Sequence, residues 1–159
     1  MEYIYKSGFK VVPDGNILAK YGSESFRCGG IVQIQVSIEY TTDSNIKFVL
    51  SPGKTECQNT NEYDIVTGND IPEYFQSAIF EGAKEVHLQN ASSKGIKFTL
   101  IKALIHPIDA NAMAFKYADK ISLAAWYQLQ LDSSRTSLTY NDLYQISPNL
   151  FKSPYGDDD

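Results

Sequence analysis

Between residues 32 and 40 apolar and polar positions alternate without interruption. Val32, Ile34, Val36, Ile38 and Tyr40 fall on one side, and Gln33, Gln35, Ser37 and Glu39 on the other. A period of two is what a strand needs when it buries one face and wets the other. Ile46, Phe48 and Leu50 alternate in the same way until Pro52-Gly53 stops them. The polar run Thr41 to Asn45 therefore predicts a hairpin joining this pair. Upstream, Tyr3, Ile4, Tyr5, Phe9, Val11 and Val12 precede the turn sequence Pro13-Asp14-Gly15-Asn16, and Ile17 to Tyr21 follow it, which predicts a first hairpin. A polar, Asn-rich loop from Lys54 to Asn69 has room for one short strand at Tyr63 to Thr67.

The period then changes. Asp70-Ile71-Pro72-Glu73 has an acceptor at a cap, Pro in the first turn and Glu three residues after the cap. Phe75, Ile79, Gly82, Ala83 and Val86 recur at helical spacing, so a helix is expected to about Gln89, with Gly82 allowing close approach to the sheet. Lys97 to Ile108 is a strongly apolar strand. Asp109 or Asn111 caps a second helix through about Gln130. Its inward face is expected to carry Met113, Ala114, Tyr117, Ala118, Ile121, Ala124, Ala125 and Leu129, with Lys116, Asp119 and Lys120 facing water. From Asp132 the composition turns to Ser, Thr, Asn, Asp and Pro. A partly ordered tail is expected, strapped back through Leu138, Tyr140, Leu143, Tyr144 and Leu150.

Composition narrows the function classes. At 159 residues and 43% hydrophobic, the chain has one real core, with no room for a multidomain enzyme. The net charge of −5 owes three units to Asp157, Asp158 and Asp159. Without them 14 basic and 16 acidic residues remain, so the body is not a strongly basic nucleic-acid clamp. Cys28 and Cys57 lack zinc-site spacing and are too few for a disulfide scaffold, so they are read as reduced thiols. No apolar leader and no run of about 20 apolar residues occurs, and a soluble cytoplasmic protein without membrane contact is expected.

The candidate chemistry is sparse. Pro52-Gly53-Lys54-Thr55 resembles the end of a phosphate loop. However, Phe48 stands where the partner glycine belongs and no apolar-periodic helix follows, so no nucleotide is expected. His87 is expected as an exposed helix histidine beside Glu85. His106, between Ile105 and Pro107 at a strand-to-helix junction, and Cys28, after Arg27, are the two groups that could act as base and nucleophile, but no third residue orients them. The Asp157 to Asp159 run reads as a solvated terminus rather than a metal site. No catalytic residue, cofactor or metal is assigned.

IPEYFQSAIFEG (Ile71 to Gly82), KFTL (Lys97 to Leu100) and above all IHPIDANAMAFKYA (Ile105 to Ala118) resemble the fourth domain of elongation factor G, the translocation GTPase of the ribosome. His106, Asp109, Met113, Ala114, Phe115, Lys116 and Ala118 carry the strand-into-helix match. With Gly30 and the alternating strand after it, the resemblance spans roughly residues 20 to 130. It implies an α+β fold like ribosomal protein S5 domain 2, a mostly antiparallel sheet with two helices on one face and a left-handed βαβ crossover. That handedness runs against the usual rule and no periodicity could reveal it. It also implies a non-catalytic wedge whose two tip loops touch RNA in the decoding site.

The tip loops are where this chain departs from the pattern. GSESFRCGG keeps Arg27, Gly29 and Gly30 but adds Glu24, and Lys102-Ala103-Leu104 replaces a polar Asp-Gly turn. His106 aligns with the histidine that becomes diphthamide in archaeal and eukaryotic relatives, but Pro107 follows in place of Arg and glycines. The GTPase domain is absent from the sequence. The expectation is one α+β domain over residues 1–131, with a polar tail over 132–159. It is expected to act as a non-catalytic binding module whose tip residues Arg27, Cys28, Lys102, Leu104, Ile105 and His106 engage a protein partner. Leu104 and Ile105 favour a protein because they would expose apolar surface. The alternatives are ribosome or RNA binding and, third, a small enzyme on the same fold.

Overall fold

Asp14 organises the first turn. Its Oδ1 accepts from the Asn16 amide at 3.1 Å and Gly15 takes φ +89°. The chain thus reverses between β1 (Gly8–Val11) and β2 (Ile17–Tyr21), which pair antiparallel with Val11 opposite Ile17. The computed structural model describes residues 4, 6–22, 31–52, 64–90, 94–105 and 110–151. β3 (Val32–Tyr40) adds antiparallel to β2, Tyr21 opposite Val32, and places Val32, Ile34 and Val36 in the core as its alternation requires.

β4 (Ile46–Leu50) departs from the expected hairpin. β6 (Ile96–Ile105) lies between β3 and β4, antiparallel to the first and parallel to the second, with Ile46 opposite Ile96 and Leu50 opposite Leu100. The physical reason is burial. Ile96, Phe98 and Leu100 are fully buried, and only an interior strand covers such a run on both edges. β5 (Asp64–Thr67) pairs antiparallel with the other end of β6, Asp64 opposite Ile105.

The first helix, α1 (Glu73–Gln89), is entered differently from the capping pattern. Gly68–Asp70 forms a 3-10 turn, Pro72 occupies the cap position, and no side chain caps the helix. A Cβ on Gly68 would run into the Leu100 carbonyl, so the glycine lets this entry lie directly on β6. In α2 (Ala112–Leu131) Asn111 is the cap, its Oδ1 accepting from the Ala114 amide at 2.8 Å. Asn111→Ala is expected to cost about 1 kcal/mol, read as a lower urea midpoint with an unchanged slope.

The face assignment of α2 is corrected at three positions. Met113 is exposed, while Asp119 and Lys120 are buried. α2 is covered by more than the sheet. α1 lies alongside it, and the Lys120 ammonium donates to the Leu150 carbonyl at 3.2 Å, drawing the chain end over the helix.

That chain end is part of the core. β7 (Ser137–Thr139) extends the sheet beyond β1, and α3 (Tyr140–Ile146) starts with a capping box between Thr139 and Asp142. Tyr140 is buried edge-on against Tyr21 and Phe151 at 5.6 and 5.4 Å. All five expected strapping residues lie in the core or against it. The fold is α+β: a mostly antiparallel seven-stranded sheet, ordered β4-β6-β3-β2-β1-β7 with β5 beside β6, and three helices packed on it.

Candidate functional site

Of the six residues singled out as a binding tip, Arg27, Cys28 and His106 lie outside the described residues, as do Lys54, Cys57 and the Asp157 to Asp159 run. Lys102, Leu104 and Ile105 are in β6. The expectation that Leu104 and Ile105 form an exposed apolar tip is overturned, since they are 8% and 9% exposed. Leu104 sits between Gln33 of β3 and Ile65 of β5, and Ile105 faces the core opposite Val32. β6 runs on to Ile105 with strand partners on both edges, so neither residue lies in a turn.

The strand ends do converge. Tyr21 pairs with Val32 and Val32 with Ile105, so β2 and β6 end on either side of the start of β3, at one end of the sheet.

Between the helices lies a polar cluster. Phe75 meets Phe115, Gly82 lies against Lys116 and Asp119, and His87 meets Tyr127, so α1 and α2 run parallel. A Cβ on Gly82 would stand 2.7 Å from the Lys116 carbonyl and 3.0 Å from Asp119 Oδ2. The absent side chain therefore makes room for the carboxyl. Asp119 is fully buried and neither oxygen has a hydrogen-bond partner among the described residues. Burial pushes its pKa well above the carboxylate range, only partly opposed by Lys120. At the cluster's margin Lys116 reaches Glu81 at 3.2 Å and Glu85 at 2.9 Å. These bonds raise the Lys116 pKa against its own desolvation, and Lys120 lies 3.8 Å from Glu85.

His87 is half-buried rather than exposed. Its Nδ1 lies 2.8 Å from the Tyr127 hydroxyl, and burial holds its pKa below the usual value. Burial, with Tyr40 nearby, pushes the Tyr127 phenol up to about 12. Tyr40 also packs on Trp126 at 4.7 Å and carries Lys94 over its ring at 5.2 Å. The pair knits the helix ends together, and no carboxylate joins it as an orienting third group among the described hydrogen bonds and ion pairs.

The sheet's other face has a different chemistry. Residues whose neighbours along each strand enter the core point away from the helices. Across the sheet these form one row of Thr67, Lys102, Gln35, Leu18, Lys10 and Ser137, and a second of Lys47, Lys97 and Glu39. Lys20 shares this face but is fully buried, and desolvation lowers its ammonium to about 8. Beside it, Gln33 Oε1 accepts from the Ile4 amide at 2.9 Å, so the face is roofed there. No His, Cys, Asp and Glu group able to hold a metal ion occurs among the described residues, and none of their helices is long and apolar enough to cross a membrane.

No family model and no curated protein matches this chain. It is similar to part of the crystal structure of the Thermus thermophilus protein ttk003000868, with 19% sequence identity and a TM-score of 0.44. The match covers 75% of this chain and spans only 15% of that one.

Proposed function

We propose that the chain is a non-catalytic macromolecule-binding module resembling the fourth domain of elongation factor G, and that it works on the ribosome or another RNA. In this reading the parallel strands β4 and β6, joined through α1, are the left-handed crossover of the S5 domain 2-like topology. The observation that carries the choice of partner is the burial of Leu104 and Ile105. It removes the apolar tip that favoured a protein. Lys102, in contrast, is partly exposed on β6 at the helix-free face. Function does not follow from fold alone, so the reading stands or falls on binding.

The test is a tagged copy purified gently at low salt. Ribosomal RNA should co-purify, and its recovery should fall steeply toward physiological salt, because phosphate contacts displace condensed counterions. A discrete protein without RNA, retained across that range, would overturn the choice. The second reading, a protein partner, is favoured by Leu88 and Leu131, both strongly exposed near the C-terminal ends of the parallel helices. Under it, Leu88→Asp should abolish recovery of that protein.

A further inference from the structure

We propose that the face of β3, β6 and β4 that carries no helix among the described residues is a docking surface for the phosphate backbone of double-helical RNA. The inference rests on the RNA-binding reading above and deepens it by naming the surface and the form of the RNA. Its first support is charge segregation. On the strand positions facing away from the helices, the ionisable side chains among the described residues are Lys10, Lys20, Lys47, Lys97, Lys102 and Glu39. Of the other described acids, Asp64 is the first residue of β5 and the rest sit in helices, their caps and turns. A chain of net charge −5 that gathers its sheet lysines on one face presents a local positive field to a polyanion.

The second support is shape and composition. Lys20 lies buried where the face is roofed near Ile4 and Lys10 is exposed further off on β1, which leaves Lys47, Lys97 and Lys102 as the accessible cations of β3, β6 and β4 among the described residues. Lys47 and Lys97 are directly opposite on adjacent strands, about 5 Å apart at the backbone, and Lys102 lies about 16 Å further along β6. Gln35, Ser37 and Thr99, between them, are short or uncharged hydrogen-bonding side chains suited to phosphate and 2′-hydroxyl oxygens. Glu39, 3.9 Å from Lys97, is the one acid on this part of the face among the described residues.

What the face lacks decides the form of the RNA. None of its described strand positions is aromatic. Sheets that bind single strands stack bases on aromatic rings, whereas duplex RNA is held through backbone and shape. A ring-free sheet that is mainly polar and basic, with Val49 and Leu104 among its apolar positions on β4 and β6, therefore fits a duplex.

The experiment is fluorescence anisotropy of the full chain with a labelled 20-base-pair RNA duplex and with a single strand of equal length. The variants are Lys47→Gln/Lys97→Gln/Lys102→Gln and, on the helix layer, Lys84→Gln. The wild type should prefer the duplex. The triple variant should bind it about tenfold more weakly or worse at low salt, and the slope of log affinity on log salt should fall by roughly 2. Lys84→Gln should match the wild type. A triple variant that binds the duplex like the wild type, or a wild type that prefers the single strand, overturns this inference while leaving the RNA reading intact. A wild type that binds neither RNA nor ribosomes overturns both. Unchanged melting of the triple variant ensures that a loss of binding is not a loss of fold.

Discussion

Phe115→Ala is expected to lower the free energy of unfolding by about 3–5 kcal/mol, the cost of deleting a large ring from a core that cannot collapse onto the space. Phe115 is fully buried in the first turns of α2, and its ring stacks on Phe75 of α1 at 4.5 Å. The substitution therefore removes both transfer free energy and the contact joining the two helices near their N-termini. For a chain of this size the melting temperature should fall by roughly 10 °C. Tyr74→Ala, one residue from Phe75 but 72% exposed, should stay within about 0.5 kcal/mol of wild type. Similar losses at both positions would mean that the ring at 115 does not sit in the core.

Much of the fold is legible because periodicity reports burial. β3 alternates, and its apolar side is the side that faces the helices. Asn111 has the acceptor a cap needs and makes the bond. Pairing is another matter. Ile46, Phe48 and Leu50 alternate equally well as a hairpin partner of β3 or as a parallel neighbour of β6. Only competition for the most apolar strand decides between them, and that is a property of the whole sheet. α2 fails for a related reason. A charged residue on a helix is read as facing water because isolated charges are costly to bury. Lys120 escapes that cost by bonding a carbonyl 30 residues away, which no local window contains.

The candidate site shows the same division. Leu104 and Ile105 read as a tip because the resemblance puts a turn near them. Here the strand continues to Ile105 with partners on both edges. The lysines of the helix-free face are visible in sequence only as ordinary polar positions in separate strands. Register brings them together. Lys47 and Lys97 are 50 positions apart in the chain and adjacent in the sheet.

Asp119 leads to the second large effect, one with a sign that can be worked out. Its carboxyl is buried against Gly82 without a partner among the described residues, and its pKa in the folded chain is raised well above the ordinary 3.8. The folded protein therefore holds this proton over a range of pH in which the unfolded chain has released it. Stability from this group is fully present below the ordinary value. It is lost as pH rises toward the raised one, by about 1.4 kcal/mol per pH unit within that window. The charged groups around the site are Glu81 and Glu85 on α1 and Lys116 and Lys120 on α2; the sheet contributes apolar side chains. Asp119→Asn keeps the volume and removes the titration, so unfolding free energies of wild type and variant should diverge from pH 4 to pH 7, the variant becoming relatively more stable. Asp132 and Asp142, whose pKa values are lowered by hydrogen bonds, give the opposite slope, but both proteins share them and the difference cancels. Lys20, lowered to about 8, titrates above the window. Parallel curves for the two proteins in urea titrations across that range would mean that Asp119 is ionised in the fold and has found a partner.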